Sequence, residues 1–326
     1  MDKITKSNRS FNLVGCISLH KTENNFGMPW KDYLIPVGEK KINALQRAVL
    51  ECAIAGCKSV WISCNYDEAP YARKSVGHFI LDPYIFYNSF EKFRFLKKEY
   101  IPIFFVPMNV TDLNVRDSMG WGIINSAVNA DYVYKNLSKY VRPDRFYASF
   151  VQGCYNPWCL LDQRKKTKNT NHNFHLTFQG RSVKTNDYMG FTFSRKELGQ
   201  IRSHVFKEGT GRNIFDESNP DVLFNKISLP IEERYSGKNF VLDKVFEPVI
   251  LDQSNNFELN QYFAIDNWSG YSEFMASSLK LRMPTVPLIK PRNDLAKIGM
   301  YDTPEIEYTE GELEEIITIG DDYYER

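Results

Sequence analysis

Long hydrophobic runs are missing from this chain. Lys, Asn, Asp or Gly interrupts every apolar stretch before it reaches the roughly 18 residues that a membrane span needs, which predicts a soluble protein without membrane partners. A disulfide framework is missing too. The six cysteines (Cys16, Cys52, Cys57, Cys64, Cys154, Cys159) lie mostly inside apolar runs rather than in short polar loops, and nothing at the N-terminus resembles a signal peptide. Both point to a reducing, cytoplasmic compartment. There is no internal repeat. His172 and His175 are separated by two residues, with no cysteine or carboxylate at ligand spacing, which makes a poor zinc site. No serine or cysteine nucleophile constellation is visible, so covalent acyl transfer has no candidate.

What is present is enough apolar and aromatic residues, 43% and 14% of 326, to bury a large core. One large domain with an appendage is the expected organisation, over residues 1–285 and 286–326. The net charge of +1 hides an asymmetry: from Asp302 to Arg326 ten acidic residues face one basic residue, so this tail carries −9 and residues 1–301 carry +10. A basic body suits phosphate-bearing ligands, although an excess of this size also serves plain solubility.

Apolar periodicity outlines alternating strands and helices. Phe11 to Leu19 reads as a strand, and Asn43 to Ala55 as an amphipathic helix ended by Gly56. Ser59 to Cys64 and Ile101 to Val106 read as short buried strands. Gly122 to Leu137 follows as a helix and Phe146 to Val151 as a strand, which together predict a mostly parallel sheet with crossover helices. The stretch Asp162 to Asn173, with Arg164, Lys165, Lys166 and Lys168, reads as an exposed loop or hairpin tip; a nucleic-acid contact there has no motif behind it. From Met283 onward Pro284, Pro287, Pro291 and Pro304 predict an extended strap leading into the acidic tail.

Several segments occur in a familiar order. Leu13 to Ser18, a polar loop, Pro29-Trp30-Lys31, the run Tyr33 to Gly38, the helix Asn43 to Ala55 and the turn Ala55-Gly56 into Ser59 to Ile62 resemble the start of the sugar-1-phosphate nucleotidyltransferase family. Gly120-Trp121-Gly122 is similar to that family's loop near the nucleotide base. Asp187 to Ser194 is similar to its glycine-then-strand segment, and Phe263 to Tyr271 to its aspartate-bearing strand end. The resemblance covers roughly residues 11 to 280. Asn65-Tyr66-Asp67, Ala69-Pro70, Val76-Gly77 and Arg116 to Trp121 are also similar to segments of nucleotidyltransferase-like proteins of large tailed phages.

The resemblance implies a Rossmann-like α/β fold with helices on both faces of its sheet. The implied reaction joins an NTP to a sugar 1-phosphate, giving a nucleotide-sugar and pyrophosphate with the help of Mg²⁺. Such a site needs cations and backbone donors around an α-phosphate, and carboxylates for the metal. Lys31 matches the phosphate-binding lysine, displaced one residue from Pro29 by Trp30. Asp266 matches the second metal aspartate, and Asp117 or Asp162 could supply the other charge. Ser18, Lys21, Arg73, Arg116, Gly120 and Gly122 are the further nucleotide-binding candidates, with His20 and Lys21 standing where the family has an arginine.

Two departures count against this. The family ends its central strand in glycine-aspartate where this chain has Gly153-Cys154, and its glycine-rich loop is replaced by Ser18 to Gly27. A thiol does not substitute for the hard oxygen ligands that magnesium prefers. Two other readings therefore stand beside the transferase. One is a glycosyltransferase using a nucleotide-sugar, with modified DNA as an acceptor that the phage resemblance implies, which lacks the Asp-x-Asp pair it would need; the other is a catalytically inactive, nucleotidyltransferase-like binding or assembly protein.

Overall fold

The computed structural model describes residues 12–20, 26, 31–38, 42–88, 99–109, 118–137, 142–169, 172–216, 219–228, 241–251, 253–279, 281 and 289–290. Met1–Pro291 is one compact unit. The expected acidic tail lies outside the described residues, as do Lys21, Arg116 and Asp117.

Four parallel strands form the centre: β1 (Leu13–Ser18), β2 (Ser59–Cys64), β4 (Tyr100–Pro107) and β5 (Arg145–Ser149), in the spatial order β5-β1-β2-β4. Every residue of β1, β2 and β5 is buried, because helices cover both faces. Side chains alternate between the two cores. Leu13 and Ile17 pack with helix α1 (Ala44–Ala55), whereas Val14 and Cys16 pack with helix α4 (Met119–Leu137).

Local chemistry fixes the ends of α1. The Asn43 side chain accepts a hydrogen bond from the Gln46 N–H, the Gln46 side chain accepts one from the Asn43 N–H, and Gly56 closes the helix at φ +97°, which favours glycine. Helix α2 (Ala69–Val76) follows β2, and the short strand β3 (Phe79–Leu81) and helix α3 (Pro83–Asn88) lead toward β4.

The flanks correct the expectation of a mostly parallel sheet. Strand β3 is antiparallel to β4 and carries the edge strand β13 (Ile289–Lys290), also antiparallel. On the other side β8 (Phe191–Ser194) is antiparallel to β5 and to β7 (His175–Thr177), and β7 pairs in parallel with β11 (Asn256–Glu258). The sheet is therefore mixed. Strands β7 and β8 are joined by a bridged turn, Phe178–Arg181, and a 3-10 turn, Val183–Thr185, rather than by a crossover helix, and a return of that kind places neighbours antiparallel. Helix α6 (Arg195–Thr210) continues from β8, and β9 (Gly211–Asp216) pairs with β10 (Asn219–Ser228) in a separate hairpin.

The expected loop over Asp162 to Asn173 is instead mostly helix α5 (Leu160–Asn169). Its polar composition hides a buried face. The Arg164 guanidinium pairs with Asp82 and donates to the Ala53 and Ile54 carbonyls, and Thr167 Oγ1 donates to the Ala55 carbonyl at 2.7 Å. Helix α5 thus satisfies the free carbonyls at the end of α1, and Arg164 belongs to the core rather than to a nucleic-acid surface. Among the described residues no helix is long and apolar enough to cross a membrane.

Candidate functional site at the carboxyl edge of the sheet

Strand order reverses between β1 and β5: the chain runs outward from β1 through β2 to β4, then returns to lay β5 on the far side of β1. Open α/β sheets bind ligands outside the carboxyl ends of their strands at such a point.

On the β1 side the edge is tightly built. Ser18 is buried, and its Oγ accepts from the His20 N–H at 3.2 Å. His20 Nε2 lies 2.8 Å from Ser63 Oγ at the end of β2, and Asn125 Nδ2 of α4 donates to the same hydroxyl at 2.9 Å. Gly122 makes this possible, since a Cβ there would come within 2.0 Å of Ser18 Oγ and 2.6 Å of His20. A Cβ on Gly120 would come within 3.0 Å of Val245, in helix α7 (Leu242–Val245). Both glycines thus bring the first turn of α4 close to its neighbours.

Lys31 precedes a 3-10 turn, Asp32–Leu34, and its Nζ donates to Glu68 Oε1 at 2.8 Å. The lysine side chain is 45% exposed and that of Glu68 only 9%, so the ammonium stands at the rim while its partner lies below. The hydrogen bond that the ammonium donates to Glu68 raises the Lys31 pKa against the opposing effect of burial. In a Glu68→Gln variant this pKa is expected to fall toward the ordinary lysine range, measured by ¹³C NMR of the reductively methylated protein. An unchanged titration would remove the pair from the account. Arg73 is exposed, with its guanidinium 5.4 Å from the centroid of Phe105 in β4. It opposes the rise in the pKa of the Cys64 thiol, which burial pushes up to about 12.

Asp266 reaches the β5 side through a two-strand ribbon. Strands β6 (Gly153–Cys154) and β12 (Phe263–Ala264) pair antiparallel, and the Ile265 N–H donates to the Gln152 carbonyl at 2.8 Å, three residues past the end of β5. The Asp266 carboxylate accepts from the Tyr188 hydroxyl at 3.4 Å and from Asn267 Nδ2 at 2.8 Å. Asn267, and not Asp266, caps helix α8 (Trp268–Ala276), accepting from the Gly270 N–H at 2.9 Å. Trp268 Nε1 donates to the Phe26 carbonyl at 2.9 Å, so the start of α8 is fastened to the segment that follows β1.

Cys154, at the expected metal-aspartate position, is fully buried, and burial pushes its thiol up to about 12. At neutral pH such a thiol is an uncharged core side chain. Among the described residues no group of three His, Cys, Asp or Glu side chains could hold a metal ion.

Beside Asp266 opens a cleft of about 500 Å³, lined by Arg181, Tyr262, Asn260, Asn267, Ser269 and Glu273 among others. The Arg181 guanidinium lies 5.5 Å from the Phe178 ring centroid and 5.7 Å from that of Tyr262, and 3.5 Å from Asp187 Oδ1. The cleft therefore offers one cation, two carboxylates, amides and aromatic faces.

Of the expected site residues, the fold brings Ser18 and Gly122 into contact. It sets Lys31 against Glu68 on the β1–β2 side and Asp266 next to Ile265, which bonds Gln152 three residues past the end of β5. Sequence reasoning missed Glu68, Ser63, Asn125, Tyr188 and Arg181. Glu68 carried a weak signal, an acid just before Ala69-Pro70 at a helix start; the others carried none, since each acquires its neighbours from distant segments.

No protein-family model matches the sequence, and none of the curated proteins matches it. Among solved structures, a UDP-glucose pyrophosphorylase complexed with UDP-glucose is similar over 81% of this chain and 97% of its own, at 10% identity and a TM-score of 0.45. A nucleoside-diphosphate-sugar pyrophosphorylase from Vibrio cholerae RC9 is similar over 81% and 100%, at 10% identity and 0.44. An inositol-1-phosphate CTP transferase from T. maritima is similar over 83% and 97%, at 10% identity and 0.43. Likenesses of this degree leave the chemistry to be argued from the residues of the site.

Proposed function

We propose that this chain binds a nucleoside triphosphate across the carboxyl ends of β1 and β5 and transfers its nucleotidyl group to a sugar 1-phosphate seated in the Arg181 cleft. A phosphate oxygen of the sugar phosphate attacks the α-phosphorus. The new P–O bond forms as the α–β phosphoanhydride bond breaks, and pyrophosphate leaves with that bonding pair. The observation that supports the reading is the position of Asp266, which follows the residue bonded to Gln152, three residues past the end of β5, and lies on the rim of a cleft containing an arginine.

In this reading Lys31 contacts the triphosphate, with its charge held by Glu68, and Arg181 pairs with the acceptor phosphate. Asp266 is the carboxylate that would hold Mg²⁺. One carboxylate suffices when the nucleotide's own phosphate oxygens and waters complete the octahedron. The ion would supply charge neutralisation at the α-phosphate.

Removing a preorganised charge contact of this kind costs about 10²–10³ in rate. Lys31→Ala and Asp266→Asn are therefore each expected to lower pyrophosphate exchange by about that factor while circular dichroism stays unchanged. Full exchange in both variants would overturn the reading. The buried, uncharged Cys154 favours a second reading, a nucleotide-binding protein without transfer activity. Nucleotide binding without any pyrophosphate exchange in the unmodified chain would select it.

A further inference from the structure

A single buried carboxylate underlies the wall that carries Asp266. Glu51 of α1 has no exposed surface, yet it accepts hydrogen bonds from Arg47 Nη1 at 2.9 Å, Tyr147 Oη at 2.7 Å, Ser149 Oγ at 2.7 Å and the Tyr155 hydroxyl. Arg47 is equally buried; its Nη2 donates to the Phe150 carbonyl and its guanidinium lies 5.0 Å from the Tyr155 ring centroid. These partners bracket one piece of chain, from the last residues of β5 through the turn to β6.

Two routes lead from Glu51 to Asp266. Through Tyr155 the carboxylate holds the residue next to Cys154, whose strand β6 pairs with β12 two residues before Asp266. The other route runs through Gly190. Its N–H donates to Tyr155 Oη at 3.2 Å, and a Cβ there would come within 2.4 Å of Glu51 Oε1. Two residues earlier stands Tyr188, whose hydroxyl reaches Asp266.

A buried ion pair gains little stability over apolar residues of the same volume, because both ions must leave water. A network in which each partner has a fixed direction does specify one arrangement. We infer that Arg47 and Glu51 are positioning residues: their buried pair sets the β5–β6 turn and, through β12 and Tyr188, the place of Asp266 at the mouth of the site. The kinetic part of this inference rests on the proposed transfer reaction; the spectroscopic part does not.

The test uses the full chain with 5-fluorotryptophan, in the parent and in Glu51→Gln and Arg47→Lys variants. Glu51→Gln keeps the volume and one acceptor oxygen but removes the charge. Arg47→Lys keeps the charge but loses the planar fork that holds Glu51 and Phe150 together. Trp268, two residues past Asp266, reports on the wall; Trp61, in the core on the α4 face, reports on folding.

In both variants the Trp268 ¹⁹F resonance is expected to move or broaden while that of Trp61 stays in place. The transfer kcat is expected to fall about tenfold, the scale of a small misplacement of a reacting group. A parent-like Trp268 resonance in either folded variant would overturn the inference. Should the parent show no transfer at all, the proposed reaction fails and the Trp268 resonance still decides the positioning role.

Discussion

Glu51→Ala is expected to lower the free energy of unfolding by roughly 3–5 kcal/mol, read from the urea midpoint of the full chain. The substitution strips Arg47 of its only buried counter-ion among the described residues and leaves the Tyr147, Ser149 and Tyr155 hydroxyls without their acceptor. Each buried donor left unpaired costs about 1–3 kcal/mol, and an uncompensated guanidinium costs more. At an exposed site a pair of this type contributes about 0.3–0.5 kcal/mol. A loss below about 1 kcal/mol would mean that water reaches Arg47 and that the pair is not sealed in the core.

Gly153→Ala is expected to cost about 3 kcal/mol, the upper end for over-packing, and to abolish the proposed transfer. An added Cβ would lie 1.9 Å from the Tyr188 carbonyl oxygen, which is backbone and cannot swing away like the end of a flexible side chain. Relief requires β6 and the Tyr188 segment to separate, and both hold Asp266. Gly199→Ala in α6 is the matched control: nothing lies within 4 Å of its Cβ, so it is expected to gain about 0.5–1 kcal/mol from reduced backbone freedom. Equal behaviour of the two variants would show that the β6 approach is looser than described.

Where composition and local chemistry agree, the sequence is readable. Ser-Val-Trp-Ile-Ser-Cys is β2 residue for residue, because a central strand with helices on both faces has no polar side to interrupt its apolar run. Helix α1 begins after Asn43 and ends at Gly56 for reasons carried by those residues themselves. Helix α4 begins three residues before Gly122, since its first turn packs through glycines that look like loop residues in sequence.

Other features depend on partners far along the chain. Helix α5 reads as a loop because, beyond Leu160, its buried face is Arg164 and Thr167, which have acceptors only once the end of α1 arrives. Strand direction at the sheet edges depends on whether a connection crosses over or returns, and strands as short as β3 or β13 have no period to read. An arginine and a glutamate four apart on a helix ordinarily pair on its surface, but Arg47 and Glu51 are fully buried. They are interior only because α1 is enclosed by the sheet, α2 and α5.

The site shows the same division. Lys31 and Asp266 are candidates from sequence through the resemblance of the segments that carry them, Pro29 to Lys31 and Phe263 to Tyr271. The acid that holds Lys31 and the arginine of the neighbouring cleft are not, since Glu68 and Arg181 acquire their roles from a helix start and a turn that the fold brings to the edge.

The most direct test of the central claim is calorimetric titration of the full chain with each of the four NTPs and dTTP, with and without Mg²⁺. The account predicts that one nucleotide binds in a metal-dependent manner and that Lys31→Ala weakens this binding. Absence of binding by every nucleotide under both conditions would contradict it.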